Sequence, residues 1–381
     1  MLILHIFSKI VHIRIWGFDL YNLTLKATAV GSLPHKSAQD AIDLIFENFK
    51  EIPFLPQLAG VDKREDMTVQ YIQGIPGIVY DEDNCKYFYE TQSDTFFEQL
   101  EEFFMDYEAI VNEKDFTNLD KYAITKPYSS AVDLYLKKLK NCKYNFAKCQ
   151  IIGPFTWATT LCDSENVCAF YDDTYREVLI KGLTLKAIWQ VLQIKKVNSK
   201  IVPIVFLDEP VMSQLGTSAF MTVKRDDVVS AIKEIAEVVK DFGAICAVHC
   251  CGKADWSIII DSGVDVINFD AFSYTKSLAT HIVEVTDFLK KGGYIAWGIV
   301  PTLDKQALVE TTVAMLEQKF ECAISDLITK SKNILTKSLI IKQSFFTPSC
   351  GAGGLNIELA EKAMMLVNDL SDTLKKKYEV D

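Results

Sequence analysis

The chain has 381 residues, of which 49% are hydrophobic and 24% are charged, and its formal net charge is −11 at pH 7. A chain of this length can bury a large core without disulfides or metals, so any metal it binds is expected to serve chemistry and not folding. The negative net charge and the lack of a cluster of basic residues in the sequence argue against nucleic-acid binding, because phosphate recognition needs concentrated positive charge.

The first twenty residues are apolar, but Lys9, His12 and Arg14 interrupt them and no small-residue cleavage site follows. Neither a signal peptide nor a membrane span fits this pattern. We therefore interpret residues 1–25 as an N-terminal extension outside the core, with an amphipathic surface segment as the alternative. The ten cysteines occur without an export signal, which indicates free thiols in a reducing compartment. The sequence predicts a cytoplasmic protein with no membrane partner.

Short apolar runs alternate with longer amphipathic segments through residues 26–381. This alternation predicts one domain with a parallel sheet buried on both faces, and eight such units predict a (β/α)₈ TIM barrel. The predicted strands are 27–32, 52–58, 148–153, 201–208, 244–249, 264–269, 293–299 and 339–346. The predicted helices include 38–50, 173–199, 226–241, 303–332 and 354–377.

The connection between the second and third predicted strands is too long for a simple loop. It contains acidic and aromatic segments with helical spacing at 95–112 and 128–140. Structureless connections of this length are uncommon in compact domains. We therefore predict a helical insertion at about 80–147, between strands 2 and 3 of the barrel.

Chemically capable side chains gather at the carboxyl ends of the predicted strands. In a barrel these ends meet at one face, which is where barrel active sites lie. Residues far apart in the sequence are therefore expected to share one pocket. They are Gly31 and Ser32 (first strand), Asp208 (fourth), His249 and Cys251 (fifth), Asp270 (sixth) and Cys350 (eighth).

His249, Cys251, Asp270 and Cys350 form a set that suits zinc, which binds imidazole nitrogen, thiolate sulfur and carboxylate oxygen. Such a site can hold a substrate thiol as its thiolate, which is nucleophilic at neutral pH. Each residue alone has a commoner interpretation. His-x-Cys occurs in packed cores, Cys350 suits a glycine turn, and Asp270 suits a helix cap. Their joint occurrence at three strand ends favours a metal site.

Seven motifs resemble the cobalamin-independent methionine synthases, and more narrowly the single-barrel members equivalent to the C-terminal catalytic half of that enzyme. The resemblance extends from about residue 26 to about residue 375. The wider superfamily also contains uroporphyrinogen decarboxylase and the methylcobalamin:coenzyme M methyltransferases. The motifs are GSLPH (31–35), FLPQL…REDM…QYIQGIPG (54–77), IGPFTW (152–157), LDEP (207–210), HCCGKADW (249–256), DVINFD (265–270) and TPSCG (347–351).

The resemblance implies a zinc-dependent methyltransferase that converts homocysteine to methionine. It implies that His249, Cys251, Asp270 and Cys350 are the zinc ligands. The acidic ligand of the family is a glutamate, so Asp270 is a departure. A side chain shorter by one methylene is expected to reach the metal differently and to exchange more readily.

The resemblance also implies how the amino acid would be bound. Asp208 matches the aspartate that binds the amino group of homocysteine, and Glu65 is the residue we assign as a second carboxylate for that group. Gly31 and Ser32 match the segment that contacts the substrate carboxylate. The alternative for the Asp208–Glu209 pair is a helix N-terminus that follows a strand.

Two departures from the family concern the methyl donor. Val300 occupies the position of a histidine that protonates the folate, and Thr160 and Leu161 lie where a tryptophan stacks on it, with Trp157 offset. Methyltetrahydrofolate is a poor methyl donor unless its N5 is protonated. Methylcobalamin needs no such acid, because cob(I)alamin is a good leaving group. We therefore predict a methylcorrinoid, free or on a corrinoid protein, as the donor in preference to folate.

Three alternatives stay open. A coenzyme M-type methyltransferase would apply the same zinc chemistry to another thiol. A uroporphyrinogen decarboxylase-like enzyme would need arginines to bind several carboxylates, and none of the four arginines lies in a strand-end motif. A non-enzymatic protein with the same metal site would bind zinc without turning over a thiol.

Overall fold

A curled sheet of six parallel strands organises the chain in the computed structural model, which describes residues 21–82 and 86–380. The strands, in chain order, are β1 (Ile78–Asp81), β2 (Lys86–Tyr89), β3 (Phe146–Ile152), β4 (Val202–Asp208), β5 (Ile245–Cys250), β6 (Val266–Asp270), β7 (Tyr294–Val300) and β8 (Ser344–Pro348). β3 to β8 form the parallel sheet in sequence order, and β1 and β2 form a separate antiparallel hairpin. The predicted α/β fold with a buried parallel sheet is confirmed.

Helices connect the strands of the sheet. They are α1 (Ala38–Asn48), α2 (Phe96–Val111), α3 (Val132–Lys140), α4 (Pro154–Thr160), α5 (Asp173–Val197), α6 (Arg225–Asp241), α7 (Trp256–Asp261), α8 (Ile282–Lys290), α9 (Lys305–Glu310), α10 (Val313–Lys330), α11 (Lys337–Lys342) and α12 (Ile357–Tyr378). Several of these helices begin at a residue whose side chain caps the first turn. Asp172 accepts from a first-turn amide of α5, and Asn356 does the same for α12.

The two faces of the sheet carry different apolar clusters, because successive side chains of a strand point to opposite faces. A large cluster includes Val205 and Leu207 of β4. A smaller one includes Phe206 of β4, Ala247 of β5 and Val266 of β6. The residues two positions further along these last three strands are Asp208, His249 and Asn268. Polar side chains therefore follow the smaller cluster on the same face, at the carboxyl ends of the strands.

The first two predicted strands, 27–32 and 52–58, are extended segments that pair only at isolated positions. They lie between β8 and β3, and their bridges are all parallel. The bridges join Ala27 to Phe346, Ser32 to Gln57, and Phe54 to Lys148. Pro53 and Pro56 lack the N–H that a continuous ladder needs, which explains why the second segment does not form a regular strand.

The last predicted strand, 339–346, is wrong in its first half. α11 occupies that half, and the side chain of Thr336 caps it. An apolar run of this length suits either a strand or a helix, and here the capping threonine decides. The predicted helix 303–332 is divided into α9 and α10, because Thr312 caps a new helix within it.

The segment predicted as an insertion, 80–147, contains α2 and α3 within the predicted helical stretches 95–112 and 128–140. The hairpin β1–β2 at its start was not predicted. Buried Asp106 on α2 accepts a hydrogen bond from the hydroxyl of Tyr122 at 3.0 Å. This contact ties α2 to the segment that leads into α3.

The core begins earlier in the chain than predicted. Leu23 and Leu25 are fully buried, and the N–H of Leu25 donates to the carbonyl of Ser344 at 2.6 Å. The boundary of the extension at residue 25 is therefore too late, while residues 1–20 lie outside the described part of the chain. In that described part, no helix is long and apolar enough to cross a membrane.

Candidate functional site

Four strands bring the predicted site residues to one edge of the sheet. Asp208 ends β4 and is in register with His249 of β5. Asp270 ends β6, and Cys350 follows the end of β8 by two residues. Because parallel strands all end at the same edge, side chains from distant parts of the sequence meet there.

His249, Cys251 and Cys350 form a compact group whose ligand atoms all lie within 4.8 Å of one another. The hydroxyl of Thr302 holds the backbone of Cys350, because it accepts from the N–H and donates to the carbonyl, each at 3.0 Å. One imidazole nitrogen and two sulfurs are a common donor set for zinc, which binds four ligands in a tetrahedron. These three residues therefore fit such an ion and leave one position for another ligand.

The orientation of His249 is set by Asn268. The amide nitrogen of Asn268 donates to the carbonyl of Ala296 at 2.9 Å and to the hydroxyl of Thr347 at 2.8 Å. Its oxygen therefore faces Nδ1 of His249 at 2.6 Å and accepts the proton there. Nε2 is left buried with no hydrogen-bond partner among the described residues. A histidine fixed in this tautomer by an outer hydrogen bond is typical of metal ligands.

The two cysteines differ in their electrostatics. The adjacent Cys350 thiol, and then the imidazole of His249, hold the pKa of Cys251 well below its usual range. The same contact with Cys251, together with burial, raises the pKa of Cys350. Cys251 is therefore the thiolate of the pair, and the proton on Cys350 is the one that a bound cation would displace.

Asp270 is not part of the compact group. Its carboxylate accepts from the N–H of Ser273 at 2.8 Å within a turn, and no helix begins at this point, so the helix cap of its alternative interpretation is not formed either. Burial raises the pKa of Asp270. Its role as a zinc ligand stays a prediction.

Asp208 lies beside the group and has a free carboxylate oxygen. The side chain is buried, and Oδ1 has no hydrogen-bond partner among the described residues. Burial raises the pKa of Asp208 to about 6, although the charges of Lys148 and His249 oppose the shift. An unpaired buried acceptor costs about 1–3 kcal/mol, so this oxygen is well placed to accept a hydrogen bond from a ligand.

Two buried polar residues of β3, Lys148 and Gln150, were missed by the sequence analysis. The ammonium of Lys148 donates to the carbonyl of Val30 and, at 2.8 Å, to the side-chain oxygen of Gln150. A Cβ on Gly31 would lie 3.1 Å from Gln150, so glycine suits this approach. Burial lowers the pKa of Lys148 to about 8, while the charge of Asp208 opposes the shift. Polar residues at alternate positions of an otherwise apolar strand were the available signal.

Ser32 lies against the loop that carries Cys350. Its hydroxyl accepts from the N–H of Gly353 at 3.3 Å, and its carbonyl accepts from Ala352 at 2.9 Å. A Cβ on Gly351 would lie 2.0 Å from that hydroxyl, so the loop needs glycine there. The structure therefore brings this segment next to Cys350, while the contact of Gly31 and Ser32 with a substrate carboxylate stays a prediction.

Glu65 is fully buried, and both of its carboxylate oxygens are bonded to backbone amides. They accept from Leu58 at 3.1 Å and from Ser130 at 2.7 Å. Burial raises the pKa of Glu65. The residue thus joins two loops, and its contact with a substrate amino group stays a prediction.

Glu209 caps α4, a helix that follows β3, whereas its alternative interpretation placed it at the N-terminus of a helix after its own strand. Its carboxylate accepts from the N–H groups of Phe155 (2.9 Å) and Thr156 (2.8 Å) and from the hydroxyl of Thr156 (2.6 Å). A Cβ on Gly153 would lie 2.1 Å from this carboxylate, which explains the glycine before the helix. The cap fixes the segment that follows the end of β3.

Replacing Glu209 with alanine is expected to lower the free energy of unfolding by about 3 kcal/mol, because it leaves buried donors without an acceptor. Chemical denaturation would measure the change. Glu237→Ala, an exposed glutamate in a 3.8 Å surface ion pair, is the matched control and should change little. Equal stability of the two variants would contradict the capping role.

Three residues at or near the predicted donor positions are buried and carry no acidic group. Val300 and Leu161 are fully buried and apolar. Trp157 is also fully buried, and its indole N–H donates to the carbonyl of Thr68 at 3.0 Å. Trp157 is therefore part of the core and does not present a face on which a folate ring would stack.

No known protein family matches this chain, and no curated protein matches it either.

Proposed function

We propose that this chain is a zinc-dependent thiol S-methyltransferase that converts homocysteine to methionine. The observation that carries the proposal is the unpartnered, buried Nε2 of His249. A ring nitrogen of the same imidazole lies within 4.8 Å of the sulfurs of Cys251 and Cys350. The free oxygen of Asp208 beside this group suits the ammonium of an amino-acid thiol.

We further propose that the sheet belongs to a closed (β/α)₈ barrel with the 80–147 insertion between its second and third strands. In this arrangement the extended segments 27–32 and 52–58 are the first two barrel strands. Backbone hydrogen bonds at both junctions and between the segments support this closure. They run from Thr28 to Phe346 (3.0 Å), from Leu33 to Gln57 (3.1 Å) and from Leu55 to Lys148 (2.9 Å).

In this mechanism the residues of the chain bind and orient the acceptor. Zinc, when bound, supplies Lewis-acid stabilisation of the substrate thiolate. His249 would bind the metal through Nε2, because Nδ1 donates to Asn268, and Cys251 and Cys350 would bind through sulfur. Asp208 would accept from the ammonium. The substrate sulfur then forms its bond to the donor methyl as the bond between that methyl and the donor breaks.

The donor we propose is a methylcorrinoid, free or on a corrinoid protein. Val300 is buried and apolar at the end of β7, and the indole of Trp157 is enclosed in the core. Transfer from cobalt needs neither a proton donor nor a stacking surface for a folate ring. Methyl transfer from a corrinoid therefore requires fewer specific side chains at this site than methyl transfer from folate does.

Charged residues of this chain argue against two alternatives, a coenzyme M-type methyltransferase and a decarboxylase. The sulfonate of coenzyme M would meet the carboxylate of Asp208, whereas the ammonium of homocysteine would be attracted to it. A uroporphyrinogen decarboxylase-like activity would need unoccupied arginines, but Arg64, Arg176 and Arg225 each bond a carboxylate of this chain. These three are the arginines of the described residues.

Asp208→Asn is expected to weaken homocysteine binding by ~1.5–3 kcal/mol, because a neutral amide replaces a charged acceptor for the ammonium. Titration calorimetry with the zinc-loaded protein would measure the affinity, and metal analysis should show unchanged zinc. A thiol without an amino group, mercaptopropionate, is the control ligand and should lose no affinity. Unchanged homocysteine binding by the variant would remove Asp208 from the substrate site.

The proposal as a whole is tested by incubating the zinc-loaded protein with methylcobalamin and a panel of thiols. We expect methionine from homocysteine and little methylation of coenzyme M. Rapid methylation of coenzyme M without methionine formation would favour the alternative methyltransferase. Zinc binding without turnover of any thiol would favour a binding protein.

A further inference from the structure

Cys162 and Cys168 face each other across a short turn between α4 and α5. They form an isolated antiparallel bridge, and their sulfur atoms are 2.8 Å apart. The backbone bonds that flank the bridge run from Asp163 to Val167 (3.0 Å) and from Ala169 to Leu161 (2.9 Å). The two cysteines therefore occupy a non-hydrogen-bonded pair of the ladder. Opposite Cα atoms in such pairs are typically about 4.5 Å apart, a separation that a disulfide spans.

The rest of the chain holds this turn independently of the two sulfurs. Leu161 and Ala169, the next pair along the ladder, are fully buried. Asp163 accepts two backbone N–H groups of the turn through one carboxylate oxygen. The N–H of Tyr89, on the hairpin, donates to the carbonyl of Cys162 at 3.2 Å. The sulfurs can therefore join without a rearrangement of the backbone.

The pair combines partial exposure with a sulfur neighbour outside the candidate metal group. Both members are partly exposed, so a small reagent can reach them. Cys142 is also partly exposed, but its thiol donates to the carbonyl of Lys138 at 3.0 Å. Three others, Cys149, Cys246 and Cys250, are buried in the core. Cys251 and Cys350 belong to the candidate metal group, and Cys322 is exposed on α10 without a sulfur contact in the described structure.

We propose that Cys162 and Cys168 form a reversible disulfide by exchange with a small disulfide of the glutathione type. One protein thiolate attacks a sulfur of the small disulfide and releases the first small thiol. The second protein thiol then displaces the other small thiol as the intramolecular S–S bond forms. The protein loses two electrons and two thiol hydrogens, and the small disulfide is reduced to two thiols.

Both cysteines are partly exposed, so either one can start the exchange. The thiolate is the nucleophile in exchange, and the thiol of the other cysteine, whose sulfur is 2.8 Å away, resolves the mixed disulfide. This cysteine pair lies in the connection after β3, which leaves the sheet at the edge that carries the candidate metal group. The proposed disulfide does not depend on methyl transfer.

The test uses the reduced full-length protein in buffers of oxidised and reduced glutathione. After an acid quench, free thiols are alkylated under denaturing conditions, and the protein is cut with trypsin and a glutamate-specific protease. Cleavage after Lys148, Glu165 and Arg176 yields fragments 149–165 and 166–176. We expect these fragments to remain joined, to lack two hydrogens, and to carry one alkyl group, on Cys149.

Single variants separate the two steps. Cys162→Ser and Cys168→Ser should each trap a glutathione mixed disulfide on the remaining cysteine, because the resolving thiol is absent. Cys322→Ser is the matched control and should give the same joined fragments as the parent. Separate fragments with both cysteines alkylated, under conditions that modify Cys322, would overturn the proposal. Joined fragments that persist in Cys162→Ser would overturn it as well.

Discussion

Replacing Cys251 and Cys350 together with serine is expected to remove zinc from this protein. The parent should bind close to one zinc per chain, because three suitable donor atoms lie within 4.8 Å of one another. A serine hydroxyl is not among the usual zinc ligands, and the variant would retain only His249 of the compact group. Elemental analysis after dialysis against a weak chelator would measure the metal content.

Three further variants sharpen that result. Cys322→Ser, which removes an exposed cysteine of α10, should keep full zinc. Asn268→Ala should weaken zinc binding by about 10–100-fold, since it removes the partner that orients His249. Asp270→Asn keeps an oxygen acceptor for Ser273, so a loss of zinc affinity in this variant would identify Asp270 as a ligand and not only as the acceptor of that turn hydrogen bond. Full zinc retention in the double cysteine variant would eliminate the site.

Methylcobalamin is expected to be a better donor than methyltetrahydrofolate by about 10²–10⁴-fold, the usual contribution of general acid catalysis. The folate reaction needs a proton at N5, and Val300, at the position matched to the proton donor, is apolar and buried. Transfer from cobalt needs no proton and should be unaffected. The measurement is the rate of methionine formation from homocysteine with each donor.

The comparison must use one protein preparation, one zinc content and one homocysteine concentration. Omission of each donor in turn is the control for methionine carried over with the protein. Rapid folate-dependent methionine formation without any corrinoid would contradict the donor assignment. That result would not contradict the proposed zinc site or acceptor site, because those proposals are based on other residues.

The parallel sheet was predictable because β3 to β7 are mostly apolar, apart from Lys148 and Gln150 in β3 and the polar residues near the ends of β4 to β6, a pattern typical of strands covered on both faces. The sequence was less informative about the segments on either side of these strands. Pro53 and Pro56 limit the segment at 52–58 to isolated pairing, although its composition suits a strand. The threonine at position 336 turns an apolar run into α11, which hydrophobicity alone cannot distinguish from a strand. The hairpin β1–β2 was missed because its strands are short and partly exposed.

The candidate site was predictable where side-chain chemistry and strand ends coincide, as at His249 and Cys251. The supporting residues were not, because their roles depend on contacts between distant strands. Asn268 orients the imidazole through bonds to β7 and β8. Thr302 positions Cys350 through two backbone bonds. A polar residue inside an apolar strand, as at Lys148, is the sequence signal that merits more weight.

The central claim is that a zinc ion held by this chain binds the acceptor thiol, and zinc X-ray absorption tests it most directly. Spectra of the zinc-loaded protein would be recorded with and without homocysteine. We predict two sulfur ligands at about 2.3 Å without substrate, from Cys251 and Cys350, and a third sulfur when homocysteine is added. An unchanged sulfur count at saturating homocysteine would contradict the account.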